Sequence, residues 1–169
     1  MKNIALFSLC FLISIKATGQ QGIKHLVCGE YWSEVSFSDF CGITADQFEF
    51  NSIPNDICNA DLRESAGVED RISIRVYNHF TIQGAQDEYS TEKEDYQALD
   101  GYQSINNLGD DSFVLWKMTS GRLDHATLLV WKDTYTVSLE VNLNPGQGAN
   151  NCLDQPSIIE FARALVKPL

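Results

Sequence analysis

Three histidines are the first place to look for acid–base chemistry, because an unperturbed imidazole changes charge close to neutrality. His25 lies three residues before Cys28, His79 follows an alternating apolar run, and His125 follows Asp124. A nucleophilic triad would need Asp124 to orient His125, and His125 to activate Ser112 or Ser120. Neighbouring residues on a strand point to opposite faces, so Asp124 is badly placed for that task. The chain also has no Gly-x-Ser-x-Gly elbow. The reading is a strand histidine with its hydrogen bonds satisfied locally.

The adjacent carboxylates Asp110 and Asp111 raise the possibility of calcium or glycosidase chemistry. Calcium takes six or more clustered oxygens, and no Asp-x-Asp-x-Asp-Gly loop is present. Following Asn106-Asn107-Leu108-Gly109, the pair reads as turn-forming aspartates. Gly146-Gln147-Gly148 lacks the Lys-Ser/Thr that a phosphate-binding loop requires. Trp32, Trp116 and Trp131, with Tyr77 and Tyr135, are candidates to line a cleft. Most are expected in the core, where aromatic rings supply much of a small domain's buried area. No catalytic, metal-binding or cofactor-binding set is assembled by these residues.

The cysteines point to a staple. Cys28, Cys41, Cys58 and Cys152 are separated by 12, 16 and 93 residues, with no Cys-x-x-Cys knuckle to favour zinc. Four cysteines in an oxidising compartment read as two disulfides, with three pairings open. The fifth, Cys10, falls inside an apparent leader. Met1-Lys2-Asn3 gives a positive start, Ile4 to Ile15 an apolar stretch, and Ala17-Thr18-Gly19 a small-residue exit. That order is expected of a signal peptide over residues 1–19, cleaved before Gln20. The twelve-residue apolar stretch is too short to span a membrane, and no longer one occurs. The expectation is export, to a periplasm, a cell surface or the medium.

Charge narrows the partners. The formal net charge is −11, and losing Lys2 and Lys16 with the leader takes it to −13. Nucleic-acid binding rests on surplus Lys and Arg, so this balance argues against it. Residues 20–169 are read as one domain, since no linker, repeat or composition break divides them. At 150 residues it can bury roughly 68–70% of its unfolded surface.

Periodicity supplies the elements. A Thr44-Ala45-Asp46-Gln47 capping box predicts a short helix through Phe48 and Phe50, ended by Pro54. Arg71 to Tyr77 alternates, with Ile72, Ile74 and Val76 on one face, and predicts a half-buried strand. Ala85, Tyr89, Tyr96 and Leu99 mark a helix that Gly101 stops, and its Asp87, Glu88, Glu92, Glu94 and Asp95 are expected on a solvated face. Strands are predicted over 112–118, 123–131 and 135–143, the last two joined as an antiparallel hairpin by Lys132-Asp133. Ser157 and Glu160 predict a capping box for a closing helix with Ile158, Phe161, Ala162, Leu165 and Val166 inward. The fold class is α+β: a mainly antiparallel sheet with N-terminal, middle and C-terminal helices packed on it.

Asp39-Phe40-Cys41-Gly42-Ile43-Thr44-Ala45-Asp46-Gln47, Cys58 before a strand, and Asn107-Leu108-Gly109-Asp110-Asp111-Ser112 before paired strands form a pattern. It resembles small exported bacterial domains of unknown function that are similar to the PsbP/Mog1-like sandwich. Gln47 stands where those domains carry an acid, and their lipobox is absent. The resemblance implies the fold, an exported setting and a Cys41–Cys58 disulfide, which leaves Cys28–Cys152; it supplies no catalytic residue.

Two functional classes follow. One is a non-enzymatic binding protein, an inhibitor or immunity-type partner of a basic protein, with Glu88, Glu92 and Asp95 steering the encounter. The alternative is an enzyme or metal-binding protein whose site is assembled from distant residues. Convergence of His79, His125 and a carboxylate in one pocket would favour the second.

Overall fold

The computed structural model describes residues 25–37, 40–53, 56–63, 71–143 and 153–169. The expected signal peptide, the 144–151 loop and Cys152 lie outside these residues. Among the described residues, seven strands form one antiparallel sheet: β1 (Phe48–Ile53), β2 (Ile57–Leu62), β3 (Arg71–Asn78), β4 (Tyr102–Ser104), β5 (Asp111–Thr119), β6 (Arg122–Lys132) and β7 (Tyr135–Asn142). Three helices accompany it: α1 (Cys28–Glu34), α2 (Ile82–Tyr96) and α3 (Gln155–Val166). The fold class is therefore α+β, as periodicity implies. The strand order is β1-β2-β3-β7-β6-β5-β4. Two sequential halves, β1–β3 and β4–β7, thus meet at a single seam where Arg71 faces Asn142 and Asn78 faces Tyr135.

Alternation decides the two faces. Ile72, Ile74 and Val76 of β3, Val137, Leu139 and Val141 of β7, and Ala126, Leu128 and Val130 of β6 are buried on one side. There they meet Ile158, Phe161, Ala162, Leu165 and Val166 of α3, together with Tyr31 and Trp32 of α1. The Tyr31 hydroxyl donates to the Leu165 carbonyl at 2.7 Å and ties the two helices together. Burying each such leucine or phenylalanine contributes about 1.5–3 kcal/mol. Among the described residues the opposite face is covered only in part, by α2, whose Tyr89 packs with Phe113 and Leu129.

Four expectations are corrected. Thr44 and Gln47 do interact, the Thr44 N–H donating to Gln47 Oε1 at 2.8 Å, but they cap only a single 3₁₀ turn, Ala45–Gln47. The chain then extends, and Phe48 and Phe50 belong to β1 because Phe48 pairs with Leu62 and Phe50 with Ala60. The closing helix starts earlier than Ser157. Asp154 is its N-cap, Ser157 N–H donating to Asp154 Oδ1 at 2.9 Å and Ser157 Oγ accepting from Asp154 N–H at 2.9 Å. An aspartate two residues ahead of Pro156 can cap because proline occupies the first turn, where no N–H is needed. α2 ends at Tyr96 rather than running on to Gly101. Gly101 instead sits at φ 90° against β5, where an added Cβ would lie 1.9 Å from the Trp116 carbonyl oxygen. Only glycine serves there.

The fourth correction concerns the disulfides. Cys28 bonds to Cys58, not Cys41 to Cys58. Cys58 is fully buried on the face that carries α1, and Cys28 opens the first turn of that helix directly above it. Cys41 is itself disulfide-bonded, and its partner lies outside the described residues.

Candidate functional site

The partly covered face gathers the polar chemistry of the molecule. Register places the outward residues of four strands in rows. Asp61 faces Ser73, Ser73 faces Glu140, and Glu140 faces Thr127. One step along, Asn59 faces Arg75, Arg75 faces Ser138, and Ser138 faces Leu129. α2 runs beside these rows, with Glu88, Glu92 and Asp95 on one stripe, since they fall at helical spacing. Thr81 starts α2, its Oγ1 accepting from the Gly84 N–H at 3.0 Å.

Between helix and sheet lies a cleft of about 460 Å³. Phe113 and Leu129 form its floor, and Tyr96 stands as a wall. Asp61, Glu92 and Glu140 supply its acids and Arg75 its cation. Ser73 Oγ donates to Asp61 Oδ1 at 2.5 Å, which fixes that carboxylate over the sheet. Burial first, and then the charges of Glu92, Glu140 and Asp95, push the Tyr96 phenol above its usual pKa. Carboxylates from a helix and from a strand therefore act on one hydroxyl.

At the end of the cleft, Arg75 is already engaged. Its Nη2 donates to Glu88 Oε1 at 2.7 Å. Glu88 Oε2 accepts from Thr136 Oγ1 at 2.5 Å and lies 2.8 Å from His79 Nε2. The His79 ring is nearly buried and packs against Tyr77, with centroids 4.0 Å apart. Burial works to raise the Glu88 pKa, but the Thr136 hydrogen bond and the charges of Arg75 and His79 overcome it. The carboxyl is held below its usual range. Glu88 is thus no part of a solvated face, whereas Asp95 is exposed and Glu92 borders the cleft.

His125 lies on the same face, just beyond the cleft-lining Thr127. His125 Nε2 is 2.8 Å from Thr127 Oγ1, and its Nδ1 contacts Asn142 Oδ1. Asp124 is the extra residue of a β-bulge and turns to Thr119 Oγ1 at 3.2 Å and Lys117 at 3.6 Å. His79 meets Thr136 at one end of β7, and His125 meets Asn142 at the other, about 20 Å away at the rise of a strand. The two do not converge. His25 pairs with the buried Asp56 at 3.0 Å, on yet another part of the surface.

The remaining candidates have structural partners. Asp110 Oδ2 accepts from the Asp133 N–H at 2.6 Å, and Asp111 takes Lys93 at 2.7 Å. Ser112 is fully buried and donates to the Ile105 carbonyl at 3.1 Å, so it is no exposed nucleophile. Trp32, Trp116 and Tyr135 are buried, and Trp131 borders a second hollow with Lys93 and Asp111. Among the described residues, no group of three His, Cys, Asp or Glu is placed to hold a metal ion. No helix among them is long and apolar enough to cross a membrane.

Of the cleft's acids the sequence singles out only Glu92, and it gives no pointer to Asp61, Glu140 or Tyr96 beside it. The signal available was polar residues at the outward positions of strands whose inward positions are apolar. Comparison with known protein families, curated proteins and solved structures finds no match.

Proposed function

We propose that this chain is an exported, non-enzymatic binding protein that engages a basic partner protein through the α2 side of its sheet. The observation that carries the reading is the meeting of Asp61, Glu92 and Glu140 with Tyr96 in one cleft whose lining cation, Arg75, is committed to Glu88, while Asp95 is exposed on the same helix. The potential at the cleft mouth is negative, and a positive patch on a partner is drawn to it. An inhibitor or immunity-type role fits an acidic domain with such a face. The separation of His79 from His125 favours binding over a site built for acid–base catalysis. The Cys28–Cys58 bond is compatible with an oxidising compartment. A PsbP/Mog1-like sandwich is consistent with helices on both faces of an antiparallel sheet.

The test is a cross-linked pull-down from the native organism, with residues 20–169 as one bait and the E92Q/D95N/E140Q variant as the other. The expected result is a basic protein recovered by the first bait at low salt and lost both with the second bait and at high salt. Recovery of the same partner equally by both baits would overturn the reading.

A further inference from the structure

The cleft has more character than its charge, and this bears on what enters it. Its floor is apolar, formed by Phe113 and Leu129, both nearly inaccessible to water. Tyr96 bounds one side with an aromatic face, close enough to Phe113 for their centroids to lie 5.6 Å apart. The carboxylates stand above this floor on three separate elements: Asp61 on β2, Glu140 on β7 and Glu92 on α2. Asp61 and Glu140 flank Ser73 in one row, and so lie two strand spacings, about 10 Å, apart. Ser138 and Thr127 add neutral hydroxyls between them. Among the described lining residues an anion would meet only Arg75, whose guanidinium is held by Glu88. A fully apolar ligand would desolvate three carboxylates without replacing their water.

We infer that the cleft admits a single ammonium or guanidinium group on an aliphatic stem, the stem entering along the Tyr96 ring and the open edge of Leu129 and the cation held among Glu92, Glu140 and Asp61. Amphipathic chains bury their methylenes and keep the charged head among polar groups. The volume of about 460 Å³ falls within the range of ligand pockets. The same chemistry comes from two sources: a lysine or arginine side chain of a partner protein, or a free polyamine. This inference rests on the cationic-partner reading but names the group and its seat.

The experiment is an amide-resolved NMR titration of the intact oxidised protein with five separate probes. These are N-acetyl-lysine amide, N-acetyl-arginine amide, spermidine, N-acetyl-glutamine amide as a neutral control and N-acetyl-glutamate amide as an anionic one. The cationic probes are expected to shift the Ser73, Thr127, Ser138 and Glu140 amides with saturation, while the neutral and anionic ones leave them unmoved. Glu92→Gln with Glu140→Gln should weaken that binding about tenfold, from two exposed charge contacts each worth up to about fivefold. Asp87→Asn changes the net charge by one, away from the cleft, and should leave binding within about twofold, so it separates local contact from general acidity. Tighter binding of the blocked side chains than of spermidine assigns the seat to a partner protein; the reverse order assigns it to a free polyamine. Shifts outside the cleft, equal response to the neutral probe, or equal loss in D87N overturn the inference. Cleft binding that persists when no basic protein is captured would overturn the protein-partner reading and leave the seat intact. Capture without cleft shifts would do the opposite.

Discussion

The two faces of this sheet are made by the same strands and behave as different materials. Along β7, Val137, Leu139 and Val141 enter a dry layer under α3, while Thr136, Ser138 and Glu140 face α2 and the cleft. The dry face is held by area and shape, and its residues are exchangeable only for others of similar volume. The α2 face is held by a few directed contacts, chiefly the Arg75–Glu88–Thr136 group, and leaves polar residues free for solvent or a ligand. Stability is concentrated on one side, and the cleft lies on the other.

The strongest way to break this contrast is to truncate neighbours on one strand. Leu139→Ala is expected to lower stability by about 2–5 kcal/mol through lost burial and a residual cavity. Ser138→Ala, one residue away on the other face, should change it by less than about 0.5 kcal/mol. Urea melts at neutral pH check both, and similar losses would mean that the two faces contribute alike.

Next in size is the staple that fastens α1 to the dry layer. Replacing Cys28 and Cys58 by alanine releases a loop with a sequence separation of 30. The chain-entropy account puts the expected loss at about 3–4 kcal/mol. A thermal melt of the double variant against the oxidised parent measures it, and an unchanged midpoint would show that packing alone seats α1.

A smaller effect tests the directed contacts. Because the folded pKa of Glu88 is depressed, its contribution is present above the ordinary carboxylate range and is lost as pH falls through the folded value. Glu88→Gln should therefore cost about 1–2 kcal/mol at pH 7, with the gap to the parent closing toward pH 3. An equal gap at both pH values would show that the carboxylate charge is irrelevant there. The smallest expected change has the opposite sign. The Tyr89 hydroxyl is enclosed near the Asp111 carboxylate, and among the described residues it makes no hydrogen bond of normal geometry, so Tyr89→Phe should be neutral or stabilising by up to about 1 kcal/mol. A clear loss in the same melts would show that the approach of the hydroxyl to Asp111 is stabilising.

Much of this architecture was legible before any coordinates. β3 and β7 announce themselves by two-residue alternation, β6 by a run from Ala126 onward that is apolar on both faces, and α3 by a full apolar stripe. β1 was not legible, because it is an outer strand on which only Phe48 is buried. Its pairing with β2, rather than its own pattern, makes it a strand. The cap of α3 was misplaced by three residues because Ser157 serves from inside the first turn. The cleft was the least readable feature. Asp61, Glu92 and Glu140 are dispersed along the chain, and only strand register and the docking of α2 bring them to one place. Glu88 illustrates the same limit: its helix position suggests solvent, and its partners lie on β3 and β7.

The seam between β3 and β7 carries a consequence for how the molecule acquires its shape. The pairs along it join residues 57 to 71 positions apart, whereas β1–β2, β2–β3, β5–β6 and β6–β7 join near neighbours in the chain. Loop-closure entropy makes the distant pairing the slow event, and topology of this kind sets folding speed. Each half can meander into register quickly, while the cleft, with Asp61 and Ser73 on one half and Glu140 and Thr127 on the other, exists only once the halves have zipped. Binding competence would then be acquired at the last kinetic step, so refolding followed by ligand capture should lag behind refolding followed by backbone signal.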